Sequence, residues 1–414
     1  FGSNRCATNT PDEATTCFVN NGHSVWYTFE APVSGRAEII STWVSKFSNT
    51  FNIRHVVLQG TCGSFSVLAC DNQNSGGQGE NTVFYDLTPG EMYFVRFDAF
   101  SNQEGRFTIR VEEPELPVVP GVVYVDHEAT GNNDGSSWEN AFTDLQDGIA
   151  LVGTNESIWI AEGTYHPSST NDPSERFLIP DASNVHGGFA GNEFLLDQRE
   201  YGNNKTVLSA EIGDPNDQTD NSTYLIALSN GNIGIALDRV TISDVGPSSD
   251  RVLEIYNDNA LVTDVELVNN NDEGNTVIAR GEDTRMINCL IHNCGNGGTG
   301  GIIYSGLESH TELINCTITN NSKANGVYKE ANGTFLIFNS IIQGNTIWGS
   351  FTTSGVEVYN SLIQVSQDFV LVDCIVNEDA QFVDSNNNDY NLTSGSPAVG
   401  LGDNSNSTHP YDYI

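Results

Sequence analysis

The residues most able to do chemistry in this chain are its carboxylates, with a few cations, thiols and aromatic rings set among them. Asp214, Asp217 and Asp220 recur every third residue in one loop, which is the oxygen-donor pattern of an irregular Ca²⁺ site; the loop lacks the Gly and terminal Glu of an EF-hand. Asp71 and Asp98 offer further carboxylates nearer the N-terminus. A lyase would need a basic proton acceptor, and Arg280, Lys323 and Lys329 are the candidates, each isolated in sequence. Tyr304, Tyr328 and Trp348 read as exposed rings on which a neutral glycan could stack. Eight histidines are dispersed without metal-ligand spacing, and no CxxC occurs, so a structural zinc site is not expected. Among the eight cysteines, the close pairs Cys6/Cys17 and Cys62/Cys70 are expected to be disulfides of an exported protein. Cys289 and Cys316 occupy one repeat position and are expected to stack as thiols or to bond. No catalytic residue stands out.

Charge narrows the partners. The 414 residues carry 54 acidic and 16 basic side chains, a formal net charge of −38. Phosphate binding needs clustered Lys and Arg, so nucleic acid is excluded as a partner, and anionic membrane surfaces with it. No apolar run approaches the roughly 20 residues of a membrane helix. Only nine of the basic residues lie beyond residue 117, against 41 acids. An excess this large is eased by salt or by bound cations such as Ca²⁺.

The elements that must position these residues fall into two parts. Residues 1–112 alternate in short strands (24–30, 52–59, 82–87, 92–98 and 106–111) separated by Gly and Pro turns, the pattern of an antiparallel β-sandwich. Residues 113–121 form an acidic, Pro-rich linker. From 122 to 414 the chain repeats. The anchors Val240, Val265, Cys289, Cys316, Ser340 and Ser361 follow one another at 25, 24, 27, 24 and 21 residues. That period fits one coil of a parallel β-helix, so the fold class is all-β throughout. Asn288, Asn315, Asn339 and Asn360 precede four anchors, and Asp264 precedes another. Asn tolerates the left-handed backbone of a tight turn, and its amide can bond its copy one coil away. A capping helix is expected over 137–151, with Ser136 or Ser137 as its N-cap and Ala141, Phe142, Leu145 and Ile149 on its buried face.

The stretches Val123-Tyr-Val-Asp126, Ser137-Trp-Glu-Asn-Ala-Phe142, Ile158-Trp-Ile-Ala-Glu-Gly-Thr-Tyr165 and His186-Gly-Gly-Phe-Ala-Gly191, with the ending Gly395-Ser-Pro-Ala-Val399, resemble the right-handed parallel β-helix surface proteins of Bacteroidota. Val25-Trp-Tyr-Thr-Phe29, Gly60-Thr-Cys-Gly63 and Leu87-Thr-Pro-Gly90 resemble pre-peptidase C-terminal domains, accessory modules of secreted enzymes and adhesins. The resemblance implies secretion, often by the type IX route, and display at the extracellular or outer-membrane surface of a bacterium. Phe1 then reads as a mature N-terminus, and the native chain is expected to continue past Ile414. Polygalacturonase-like enzymes place Asn-Thr-Asp, Asp-Asp, Gly-His-Gly and Arg-x-Lys motifs on adjacent coils. Here only the fragments Thr263-Asp264, Asp283, Arg285 and His292 occur, none in the matching motif.

The leading expectation is a surface structural or binding protein, adhesive or glycan-contacting, whose partners are glycans or other surface proteins. A polysaccharide lyase or glycoside hydrolase is the alternative, and a subunit of an extracellular filament or surface complex is a third. The regular coils argue against a catalytic centre, because catalysis needs convergent polar groups that would break the repeat.

Overall fold

The computed structural model describes residues 2–3, 24–46, 53–61, 64–71, 80–84, 87–99, 105–114, 118–229, 231, 234–298, 300–323, 325–345, 356–364 and 369–403. The chain divides into two compact units, Phe1–Glu115 and Leu116–Ile414.

The first unit holds two four-stranded antiparallel sheets. One orders Gly2–Ser3, Gly105–Glu112, Ala37–Lys46 and Glu80–Phe84; the other orders Val25–Glu30, Met92–Ala99, Ile53–Thr61 and Ser64–Asp71. Ile39 and Phe107 of the first sheet share a core with Val57, Val95 and Phe97 of the second. That shared inner face is what period-2 alternation implies. The strands Ala37–Lys46 and Ser64–Asp71 escape the sequence reading.

The second unit is a parallel β-solenoid, nearly all β, and it bears out the expected fold class. Sheet I stacks ten strands from Val122–Val125 to Phe369–Val372, sheet II nine from Gly163–Tyr165 to Ile375–Val376, and sheet III six from Phe177–Ile179 to Asn325–Lys329. A single apolar column runs through the solenoid, from Val123 and Val125 to Phe335 and Val358. The expected anchors all point into this interior or its margin, and Val240, Val265, Cys289, Cys316, Ser340 and Ser361 are buried.

The residues before the anchors turn the chain from sheet I into sheet II. Arg239, Asp264, Asn288, Asn315, Asn339 and Asn360 all have φ between 48° and 55°, so the left-handed turn read from the sequence is present. The amide ladder expected there is largely displaced. In that outer column Asn288 Nδ2 donates to Asp264 Oδ1 at 3.2 Å. The repeating amide bonds run instead through a second, buried column. Asn321 Oδ1 accepts from the Cys294 backbone N–H at 2.9 Å, Asn345 Oδ1 accepts from Asn321 N–H at 3.1 Å, and Asn321 Nδ2 donates to the Ile291 carbonyl at 2.9 Å. These amides satisfy main-chain groups that the turn would otherwise leave orphaned in the core. Asn321→Ala is therefore expected to lower stability by about 1–3 kcal/mol, read from urea unfolding; a shift within error of zero would show that the buried amide is dispensable.

The capping helix is shorter than the sequence suggests. It spans Leu145–Leu151, and its N-cap is Asp144, whose side chain accepts from Gln146 N–H at 2.9 Å. Ser137 and Ser136 are not the cap. Phe142 instead joins the edge of sheet I by a parallel bridge to Val125, while Trp138 is locked into a buried aromatic cluster with Tyr124, Trp159 and Phe189. These pairings take residues 137–144 out of the helix. Leu145 and Ile149 still pack on the first coils, so the end of the core is covered as expected.

Candidate functional site

Sheet III carries on its outer face a surface where three of the scarce cations gather with aromatic rings. Parallel pairing in strict register aligns Leu178, Ala227, Glu254, Ile278, Tyr304 and Tyr328 in one outward row. Arg176, Tyr224, Arg251, Tyr256 and Arg280 flank that row. A cleft of about 480 Å³ opens there, lined by Arg176, Tyr224, Asp250, Arg251, Glu254 and Tyr256 among others.

Glu254 is the hub of this cleft. Its side chain is only 2% exposed and accepts two bonds from Arg251 Nη1, at 2.8 and 2.9 Å, and one from the Tyr224 hydroxyl at 2.6 Å. Arg280 Nε stands 3.8 Å away on the next coil. Burial pushes the carboxyl pKa up, but the hydrogen bonds from Tyr224, Tyr256 and Arg251 outweigh it and hold it below the ordinary range. Glu254 is thus an ionised, fully engaged group. It fixes the arginines in place. Burial, reinforced by the Glu254 carboxylate, pushes the Tyr224 and Tyr256 phenols up.

The guanidinium groups lie over rings. Arg176 and Arg251 sit 4.8 and 5.3 Å from the Tyr224 centroid, and Arg280 sits 5.3 Å from Tyr304 and 5.9 Å from Tyr256. Tyr304 and Tyr328 stack face to face on adjacent coils, centroids 5.2 Å apart and planes 5° from parallel. Stacking leaves them half-buried where the sequence reading had them exposed. The Tyr304 hydroxyl bonds the Glu330 carboxylate; burial first, and that bond second, pushes its pKa up to about 12. Neither the guanidinium groups nor the phenols of this face are suited to take a proton at neutral pH. Arginine does not deprotonate in proteins, and the phenols are raised.

Other expected residues lie elsewhere. Asp214, Asp217 and Asp220 share an exposed loop, but their carboxylates cap its own amides: Asp220 Oδ2 accepts from Asp214 N–H, and Asp217 Oδ1 accepts from Thr219. Among the described residues no three His, Cys, Asp or Glu groups converge to hold a metal ion. Lys323 and Lys329 are buried, which removes them as surface proton acceptors; Lys323 Nζ is 2.6 Å from Asp272 Oδ2 inside the core. Asp283 and Arg285 lie on sheet I, and Asp264 and His292 on the turn column and sheet II. Cys289 and Cys316 are free, buried thiols. Trp348, Cys6, Cys17 and Cys62 lie outside the described residues, so neither expected disulfide is tested; Cys70 sits on the strand Ser64–Asp71.

Arg176, Tyr224, Arg251, Glu254 and Tyr256 are missed by the sequence reading. Their signal is register rather than motif: they are up to 80 residues apart and meet only when coils of unequal length are stacked.

No family model matches the chain, and no curated protein does either. The chain is similar to the structure of pectate lyase Pel9A, at 14% identity and a TM-score of 0.46 over 66% of this chain and 73% of that one. A rhamnogalacturonan lyase matches at 10% identity and a TM-score of 0.24, covering 64% of this chain and 90% of that one. The catalytic unit of a thermostable GH87 α-1,3-glucanase from Streptomyces thermodiastaticus strain HF3-3 matches at 10% and 0.16, covering 91% and 97%.

Proposed function

We propose that the protein binds an acidic polysaccharide along the outer face of sheet III, without turning it over. The observation that carries this reading is the placement of Arg176, Arg251 and Arg280, three of the solenoid's nine cations, on one face between tyrosine rings. A guanidinium matches a carboxylate in paired hydrogen bonds, and tyrosine supplies an apolar ring face with a polar edge. A uronate-bearing chain presents both partners. In a molecule of net charge −38, these guanidinium groups offer a polyanion local contacts, beside the carboxylates of Asp250, Glu254 and Glu330.

The binding role is favoured over hydrolysis because glycosidic cleavage needs two carboxyls with opposed protonation, one held protonated. The Glu254 carboxyl is pushed the other way. Display at a bacterial surface fits a glycan-contacting role and belongs to the same proposal.

Sodium polygalacturonate is the probe. Wild-type protein is expected to bind it with an affinity that falls as salt rises. Arg280→Ala, at a side chain 45% exposed, should weaken binding at least tenfold with the melting temperature unchanged. Equal binding of a neutral polymer, or an Arg280→Ala variant that binds as well as wild type, defeats the reading. Release of reducing or unsaturated ends, abolished by Glu254→Gln, would show catalysis instead.

A further inference from the structure

The column of turn residues between sheets I and II changes character at its N-terminal end. From Asn288 to Asn360 it is asparagine; one coil earlier it is Asp264, and one before that Arg239, with φ of 54°. Left-handed backbone suits Asn and Asp and disfavours other side chains. Of the seven residues in this column, which closes with Asp373, Arg239 alone is neither Asn nor Asp. Such an outlier, at a place where the repeat could have kept asparagine, points to a use for the side chain.

A cavity of about 320 Å³ lies over these two coils. Its floor holds Arg239, Thr241, Asp264, Glu266 and Asn288, and the segment 200–206 borders it with Tyr201 and Lys205. Arg239 Nη1 donates to the Arg199 carbonyl at 3.1 Å, its guanidinium lies 5.7 Å from the Tyr201 ring centroid, and its Nε is 3.7 Å from Asp264 Oδ2. Tyr201 is nonetheless 58% exposed. Asn288 Oδ1 is buried against solvent and accepts no hydrogen bond. Lys205 Nζ, 2.8 Å from Glu266 Oε2, completes a set in which each cation faces a carboxylate.

We propose that this cavity is a second ligand site, taking a neutral sugar unit, separate from the acidic-glycan face on sheet III. The lining sets Arg239 and Lys205 against Asp264, Glu266 and Glu200, a net negative balance that disfavours an anion and leaves a neutral sugar as the better fit. Donors on Arg239 and Lys205, acceptors on Asp264 and Glu266, and an exposed ring at the rim match the alternating hydroxyls and apolar face of a hexose. Burial, with the nearby Asp238 charge, pushes the Asp264 carboxyl up. Asn288, Leu290 and Tyr201 also line a neighbouring cavity of about 650 Å³ beside 388–402, so a longer chain has room to continue along the asparagine column.

The test measures binding of glucan-, mannan-, xylan- and galactan-derived hexasaccharides by calorimetry. At least one is expected to bind wild-type protein. Tyr201→Ala should weaken that binding at least tenfold while leaving the melting temperature and polygalacturonate binding as in wild type. Arg239→Asn, which installs the residue the later coils use, should weaken it at least fivefold with the melting temperature equal or higher. Absence of binding to all four probes overturns the proposal, as does full binding by Tyr201→Ala. A melting temperature lowered by Arg239→Asn overturns the reading of Arg239 as a ligand device. Arg280→Ala serves as the independent control, since its loss touches only the polygalacturonate arm.

Discussion

Replacing Lys323 with methionine is expected to lower folding stability by about 3–5 kcal/mol, the loss that follows when one partner of a buried ion pair is removed. Both side chains are 0% exposed, and Lys323 Nζ donates to Asp272 Oδ2 at 2.6 Å, to the Asp272 carbonyl at 2.6 Å and to the Gly274 carbonyl at 2.9 Å. One ammonium thus neutralises a carboxylate and satisfies two carbonyls of a coil that carries no regular ladder at that point. Burial pushes the Asp272 carboxyl up even with Lys323 beside it, so losing the lysine removes the charge that offsets that burial. The double variant Lys323→Met, Asp272→Leu should recover much of the loss, since an apolar pair removes the desolvation burden of both ions. Urea unfolding followed by fluorescence and circular dichroism reads both. A single-variant loss under about 1 kcal/mol would show that the pair is not held dry.

The second large effect is loss of stability in acid through Glu266. Burial pushes its carboxyl up, but hydrogen bonds from His292, Lys205 and Thr241, with the Lys205 charge, prevail and lower it from 4.5 to about 2. The folded state therefore binds this proton more weakly than the unfolded chain does. Its contribution is whole above pH 4.5 and is lost as pH falls from there to about 2. The shift corresponds to about 3 kcal/mol. Asp264, raised by burial and the Asp238 charge, acts in the opposite sense: the folded state holds its proton more tightly, and its contribution shrinks as pH rises. Stability curves for wild type and Glu266→Gln should converge toward the acid end of that window. Parallel curves would place the acid sensitivity elsewhere.

Periodicity made the solenoid legible, because an inward-facing position and a left-handed turn must recur at each coil. Val240 to Ser361 recur at nearly even spacing, and all of them are buried behind left-handed turn residues. The inner amide column was hidden by composition: Asn270, Asn321 and Asn345 sit in Asn-rich loops, where sequence offers no sign of which amide faces the core. The helix was overextended because Phe142 has the right spacing for a helical face but pairs better with the edge of sheet I. For the binding face, Tyr304 and Tyr328 could be singled out as rings, whereas Glu254 is one of 54 acids and gains meaning only from the two hydroxyls and two guanidinium groups around it.

Sheet III is the shortest of the three solenoid sheets, with six described strands against ten and nine. Five steps of about 4.8 Å separate its first strand from its last, so the face is about 24 Å long. It is a ruler as well as a surface. Each added sugar should strengthen binding while it still meets a new coil, and further units should add nothing once the oligomer overhangs the strand Asn325–Lys329. Affinity plotted against oligouronate length is thus expected to climb and then flatten, and the length at the break reports how many coils are in use.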